Sequence, residues 1–365
     1  MLIIIAILLG CVFIFVGVLQ ACSPGKPEPL LDVNGSWLTG SISEKIYVTI
    51  DGVEQGMFIK GTNTKNPVLL FLHGGPGMPE YFLTENYPTG LEDCFTVCYW
   101  EQRGGGLSYS SDISAESITT EQLISDTIEV TNYLRERFGQ DKIFLMAHSW
   151  GSFIGIQAAK LSPDLYCAYI GVEQISQMLE SEKQAYSYIR KQYTVARNTG
   201  MVKKPQNYPV SESEAALRSF FTSFLRDKTM HELGIGTMHS MRSVVTGIFL
   251  PVMECKAYTL GEKINVWRAK AFLRNDTILL DQLFSTDLAV KVPQLEIPVY
   301  FISGKYDYTV NYDLSKAYLD QVQSPVKGFY TFEQSAHSPM FEESKRFMQI
   351  MVEDVLNRTT ALADT

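Results

Sequence analysis

Apolar positions along the chain fall into three textures. From Leu2 to Leu19 every residue is apolar or Gly, a run that no soluble surface tolerates. Further on, Lys45–Ile50 and Gln55–Lys60 alternate around Asp51-Gly52-Val53-Glu54, which predicts a hairpin whose turn residues accept positive φ. The third texture begins at Pro67-Val68-Leu69-Leu70-Phe71-Leu72 and recurs in Phe95–Trp100, Lys142–Ala147, Tyr166–Val172 and Pro298–Ser303. These stretches are apolar on consecutive positions, as in strands buried on both faces of a parallel sheet. Helical periodicity fills Thr120–Phe138 and Ser152–Leu161 between them.

Buried strands alternating with helices predict an α/β fold, with a mostly parallel central sheet and helices on both faces. The rhythm breaks after Val172. Residues 173–293 read as mostly helical, most clearly in Ile175–Arg197 and Ser211–Arg226, before a buried strand returns at Pro298. A helical insertion of this length between two strands is expected to form a cap over the sheet edge. The predicted organisation is therefore a leader (1–22), a polar linker (23–41), a first core part (42–172), the cap (173–293) and a second core part (294–358).

With 45% hydrophobic residues among 365, the chain can bury a large core, and its formal charge of −9 excludes a basic nucleic-acid binder. The leader ends in Leu19-Gln20-Ala21-Cys22. That Leu-x-Ala-Cys resembles the lipobox of bacterial lipoproteins, which implies lipidation of Cys22 and a position on the extracytoplasmic face of a membrane. Eighteen uncharged residues are also at the lower limit for a single spanning helix, and the leader carries no Lys or Arg beside its amino terminus. Both readings tether the remaining residues to a membrane. Cys94, Cys98, Cys167 and Cys255 are expected to be free thiols. There is no Cys-x-x-Cys pair and no His-x-x-x-His spacing, so no metal site is predicted.

The chemistry-bearing residues gather at the predicted strand ends. Lys142–Ser152 reads strand, sharp turn, helix, with Ser149 at the turn and the small residues Ala147 and Gly151 two positions to either side. This is the pattern of a nucleophile elbow, although a serine capping the next helix would look similar. His73-Gly74-Gly75-Pro76-Gly77 follows the strand that ends at Leu72. A Gly-rich loop there can aim backbone amides at a developing oxyanion, and Gly75 N–H with Trp150 N–H are the candidate donors. His337, in a loop before the last helix, is the candidate base. Asp307, just beyond the strand Pro298–Ser303, is the candidate acid, with Asp313 and Glu333 as competitors. His148 is expected to turn its ring away from the elbow, His73 to support its own loop, and His231 and His239 to lie on the cap surface. The chain order Ser149, Asp307, His337 is that of α/β-hydrolases.

Three motifs in register, His73–Gly77, Glu101-Gln102-Arg103-Gly104-Gly105-Gly106-Leu107-Ser108 and Ala147-His148-Ser149-Trp150-Gly151-Ser152, resemble the α/β-hydrolase superfamily and, within it, the proline iminopeptidase group. The resemblance covers residues 40–172 and 295–357 and leaves out the cap. It implies an α/β-hydrolase fold and a serine aminopeptidase that releases an N-terminal residue from small peptides without metal or organic cofactor. An esterase of small acyl esters with the same triad is the alternative, and an inactive fold used as a binding module is a third. The group binds a peptide's free amino terminus through acidic cap residues, which points to Glu173 and Glu254 among Glu180, Glu182 and Glu232. The group's Arg-Gly after the strand that follows the elbow helix is absent here, where Gly171-Val172-Glu173-Gln174 stands. Arg103 is expected to organise its loop rather than to touch substrate.

Overall fold

The computed structural model describes residues 17, 19–210 and 213–364. Eight strands form one sheet: β1 (Ile42–Ile50), β2 (Val53–Gly61), β3 (Val68–Leu72), β4 (Thr96–Trp100), β5 (Ile143–His148), β6 (Tyr166–Val172), β7 (Val299–Gly304) and β8 (Lys327–Phe332). Their order is β1-β2-β4-β3-β5-β6-β7-β8. The β1–β2 and β2–β4 pairs are antiparallel, and every pair from β4 to β8 is parallel. The predicted hairpin closes through two residues, Asp51 (φ 43°) and Gly52 (φ 73°), with Ile50 opposite Val53. Two consecutive positive φ values match the right-handed twist of the flanking strands.

Consecutive apolar residues are explained by the pleat, because neighbours along a strand serve opposite faces. Leu70, Leu72, Leu145 and Ala147 join one buried cluster, while Leu69, Phe71, Phe144 and Met146 join the other. Helix α2 (Thr120–Phe138) starts at Thr119, whose side chain accepts from Gln122 N–H, and stops at Gly139 in the left-handed region, a cap at each end that the sequence supplies. It follows a short helix, α1 (Tyr81–Asn86), and precedes α3 (Trp150–Leu161), which begins directly after Ser149.

Between β6 and β7 lie α4 (Met178–Val195), α5 (Glu214–Phe221), α6 (Phe224–Glu232) and α7 (Leu260–Asn275), with shorter turns; α8 (Tyr312–Gln321) follows β7. The single helix expected over Ser211–Arg226 is two. Ser223 is the reason, since its hydroxyl accepts from Arg226 N–H and starts a new helix. The start of the segment 23–41, expected as a linker, lies against the cap. Lys263 Nζ donates to Ser23 Oγ at 2.8 Å as well as to Met253 O at 2.7 Å, and Gly25 N–H to Lys256 O at 3.0 Å, so this segment supplies one of two partners of a buried ammonium. Most of the predicted leader lies outside the described residues. No helix among the described residues is long and apolar enough to cross a membrane, and Cys22 is an exposed free thiol. Cys98 and Cys255 are buried free thiols and Cys94 and Cys167 are half-buried ones; Cys94 ends a helical turn before β4 rather than lying in the strand.

Candidate active site

The elbow is visible in the backbone. Ser149 has φ 53° and ψ −119°, a region that non-glycine residues avoid unless their surroundings enforce it. Enforcement comes from both sides. Ser149 N–H donates to Val172 O at 3.0 Å, and Ser152 Oγ donates to Ser149 O at 2.6 Å. A Cβ on Gly151 would stand 2.2 Å from Leu72 O, so only glycine lets α3 leave the turn past β3. The methyl of Ala147 is tolerated because Gly155 lies opposite, where a Cβ would approach it to 2.9 Å.

Asp307 and His337 project from the loops after β7 and β8. His337 Nδ1 lies 2.6 Å from Asp307 Oδ2, while Asp307 Oδ1 accepts from Thr309 N–H at 2.6 Å and Val310 N–H at 3.2 Å. Both carboxylate oxygens are thus fixed, which orients the ring and holds its tautomer. The competitors Asp313 and Glu333 are exposed. His337 N–H donates to Gly236 O of the cap at 3.2 Å, so the cap braces the loop that carries it. Ser149 and His337 line one cavity of about 150 Å³ together with Gly75. Trp150 is buried beneath it, its indole N–H on Gln102 Oε1 at 2.9 Å. Gln102 in turn holds the glycine loop, by Nε2 to His73 O at 2.9 Å and by N–H to His73 Nε2 at 3.1 Å.

His73 supports its loop as expected. Nδ1 donates to Gly74 O at 2.7 Å while Nε2 accepts, so the ring is neutral, and burial lowers its pKa despite the Gly74 carbonyl and the Glu80 charge. His148 does not turn away. Its ring lines the cavity, with Nδ1 2.7 Å from Glu80 Oε1 and Nε2 2.6 Å from His337 O. Both ring nitrogens face oxygen atoms: burial lowers the pKa, and the Glu80 charge with the hydrogen bonds to Glu80 and the His337 carbonyl raises it above the ordinary histidine value. His231, expected on the cap surface, is buried in the cavity wall between Asp227 O and Thr237 Oγ1. His239 stacks on Tyr306 with ring centres 3.9 Å apart.

Glu173 and Glu254 are not in the cavity wall. Glu254 is exposed at the end of a short cap helix. Glu173 N–H still pairs with Ile302 O of β7, and its backbone turns at φ 50°, so the side chain is carried under the loop of Asp307, where it accepts from Gly304 N–H. The other acidic candidates are occupied or distant: Glu182 is buried in a bidentate pair with Arg226 at 2.8 Å for both contacts, Glu232 accepts from Tyr193 Oη at 2.8 Å, and Glu180 is half-buried beside Lys183. Two other acids line the cavity, Asp227 of the cap and Glu80; Glu80 went unnoticed in the sequence, where its signal is a lone acid in the apolar stretch Met78–Leu83. Its Oε1 takes His148 and, at 3.3 Å, Gly74 N–H; its Oε2 is buried without a partner among the described residues. A Cβ on Gly74 would stand 2.9 Å from Glu80 Oε1 and 3.4 Å from Ser149 Cβ, so carboxylate and serine flank this glycine. Arg103 organises its loop, as expected. Its Nε and Nη2 reach both oxygens of Asp126 at 2.6 and 2.7 Å in a fully buried pair.

Residues 67–344 match the family described as alpha/beta hydrolase fold. The chain belongs to that family. This α/β-hydrolase is 33% identical over 320 residues to a Bacillus subtilis protein named "Probable aminopeptidase YbaC", covering 84% of this chain and 94% of the relative. It is 26% identical over 321 residues to the proline iminopeptidase of Clostridioides difficile, covering 84% and 96%. The crystal structure of proline iminopeptidase from Mycobacterium smegmatis superposes with a TM-score of 0.60 at 15% identity, over 86% of this chain and 98% of that one, a likeness of fold. Within the α/β-hydrolases the chain falls in the proline iminopeptidase-like group.

Proposed function

We propose that this α/β-hydrolase is a serine aminopeptidase that releases an N-terminal residue from small peptides. The observation that carries the reading is the strained Ser149 facing the same cavity as the hydrogen-bonded Asp307–His337 pair. His337 takes the proton of the Ser149 hydroxyl, Ser149 attacks the scissile carbonyl, and the Gly75 and Trp150 amides receive the oxyanion. Asp307 steadies the imidazolium, which then protonates the leaving amine; water, activated by the same histidine, releases the acyl residue. The substrate's α-ammonium group has a partner in the free oxygen of Glu80 rather than in a cap glutamate.

Tethering to a membrane is part of the proposal. The apolar run Leu2–Leu19 and the Leu-x-Ala-Cys ending at an exposed Cys22 support it. Metabolic labelling with a fatty acid that disappears in Cys22→Ser would establish lipidation, and unlabelled protein retained in the membrane fraction would favour a helical anchor.

The test of activity is hydrolysis of prolyl- and alanyl-coumarylamides beside p-nitrophenyl acetate, with Ser149→Ala as control. Amide turnover that vanishes in Ser149→Ala is the expected result. Ester turnover alone would replace the aminopeptidase by an esterase, and no serine-dependent turnover would revive the binding module.

A further inference from the structure

The cap presents cations to the cavity where the resemblance led us to expect acids. Lys270 and Arg274 stand one turn apart on α7 and both line the cavity that holds Ser149. They also line a second cavity of about 270 Å³ whose wall includes Phe224, Ala271 and Asn275, three exposed residues that place it toward the surface. The pair, with Asp227, therefore stands at the boundary between an inner chamber at the serine and an outer one.

Neither is in an ion pair among the described residues, and Asp227, which lines both cavities with them, supplies only a partial counter-charge. Lys270 Nζ has no hydrogen-bond or ion-pair partner among the described residues. Arg274 makes one hydrogen bond, from Nη2 to Phe221 O at 3.4 Å, and its Nε is buried without a partner. The third cation of the wall, Arg226, is taken up by Glu182, and Asp227, the acid of this region, lies 3.8 Å from Arg226. The Phe221 ring lies between the Arg226 and Arg274 guanidinium groups, 4.8 and 5.0 Å from its centre, and fixes where they point. Like charges four residues apart destabilise a helix, and buried donors left unpaired cost more. An arriving anion removes both penalties.

We propose that Lys270 and Arg274 form the binding site for the free carboxylate of the substrate's leaving portion, so that the protein prefers di- and tripeptides with an unblocked C-terminus. The inference rests on the aminopeptidase reading above. A short peptide is a zwitterion whose two ends then find opposite partners: the ammonium group at Glu80 and the carboxylate at the α7 cations, with the scissile carbonyl at Ser149 between them. A longer chain would place an uncharged peptide group at this boundary and would leave the cations unpaired.

The test compares the full-length protein on Pro-Ala and Ala-Ala, and on the same dipeptides with C-terminal amides, by chromatographic measurement of the released amino acid. A charge-assisted contact predicts a kcat/KM for the acids on the order of tenfold above that for the amides. In Lys270→Met and Arg274→Met that ratio should collapse toward one, through KM. Equal rates on acids and amides in the wild type would overturn the anion site and leave the aminopeptidase standing. A preference that survives both substitutions would overturn its assignment to these residues. If no peptide is cleaved while p-nitrophenyl acetate is turned over in a Ser149-dependent way, the aminopeptidase reading fails and the carboxylate site falls with it. The wild-type comparison decides even where a variant does not fold.

Discussion

Behind the Asp307–His337 pair, the carboxyl of Glu173 is buried against that of Asp307. Its Oε1 accepts from Gly304 N–H, and its Oε2 has no donor among the described residues. Burial, and then the Asp307 charge, push the Glu173 pKa well above the carboxylate range. Both causes favour the protonated form of Glu173 beside the Asp307 carboxylate. Glutamine keeps the contact that is present, since its carbonyl can accept from Gly304, and its neutral amide places no like charge beside Asp307. Glu173→Gln is expected to keep kcat/KM within about threefold, whereas Glu173→Ala, which orphans the Gly304 N–H, should lose about 1–3 kcal/mol of stability and on the order of tenfold in kcat. Steady-state kinetics and urea unfolding of the two variants check both, and a Glu173→Gln variant as impaired as Glu173→Ala would show that the group is ionised.

The elbow glycine leaves little freedom. Because a Cβ at Gly151 would lie 2.2 Å from Leu72 O and 2.8 Å from His73 O, Gly151→Ala must push α3 from β3 or distort the turn at Ser149. A backbone neighbour cannot rotate aside as a side chain can. The expected cost is at least about 3 kcal/mol, read as a lowered midpoint in chemical unfolding, and residual soluble protein should show reduced kcat. Ala147→Gly, by contrast, removes a methyl that already fits and should leave activity near wild type.

Legibility in the sequence followed locality. Ser149, the His73–Gly77 loop, Asp307 and His337 could be read because each sits where a buried strand ends, and strand ends of a parallel sheet share one edge. What was hidden depends on which way a side chain points after the chain has turned. Glu173 was chosen as an acid at the cap boundary, yet one more ladder bond to Ile302 turns it under Asp307. His148 was expected to face away, but Glu80, far from it in sequence, supplies an acceptor that draws its ring over the site. Lys270 and Arg274 look like an ordinary charged face of a helix until α7 is seen to close over the cavity. The split at Ser223 was missed because a serine inside a helical pattern is also tolerated there.

The buried pair of Arg103 and Asp126 ties the loop after β4 to α2 and also touches Ile50 O at 3.2 Å. Removing one member strands the other charge away from water. Asp126→Ala and Arg103→Met are each expected to cost about 3–5 kcal/mol, measured by urea denaturation. The double variant Arg103→Met/Asp126→Leu should recover part of that loss, because no charge is left unpaired. Additive losses in the double variant would mean that the loop is held by packing, with the ion pair incidental.

A second buried acid makes stability depend on pH. Burial pushes Glu101 up to about 8 from 4.5, despite hydrogen bonds from Tyr258 Oη and Leu107 N–H that favour the charged form. The folded state then keeps a proton that the unfolded chain releases above about pH 4.5, so the folded state binds more protons across the window between 4.5 and 8. The corresponding stability is fully present below pH 4.5 and is lost progressively as the pH rises through 8. Glu342, which accepts from Ala336 N–H beside His337 and from His239 N–H of the cap, is raised by burial to about 7 and acts in the same direction over a narrower window. Thermal midpoints of Ser149→Ala, used to avoid turnover, should therefore fall from pH 5 to pH 8, and Glu101→Gln should make that slope shallower, with Glu173 and Glu342 supplying the remainder. Glutamine can still accept from Leu107 and can donate to the Tyr258 hydroxyl, so the variant should not be less stable than the parent at pH 8. A midpoint that rises with pH across this window in the parent would mean that Glu101 enters the fold ionised.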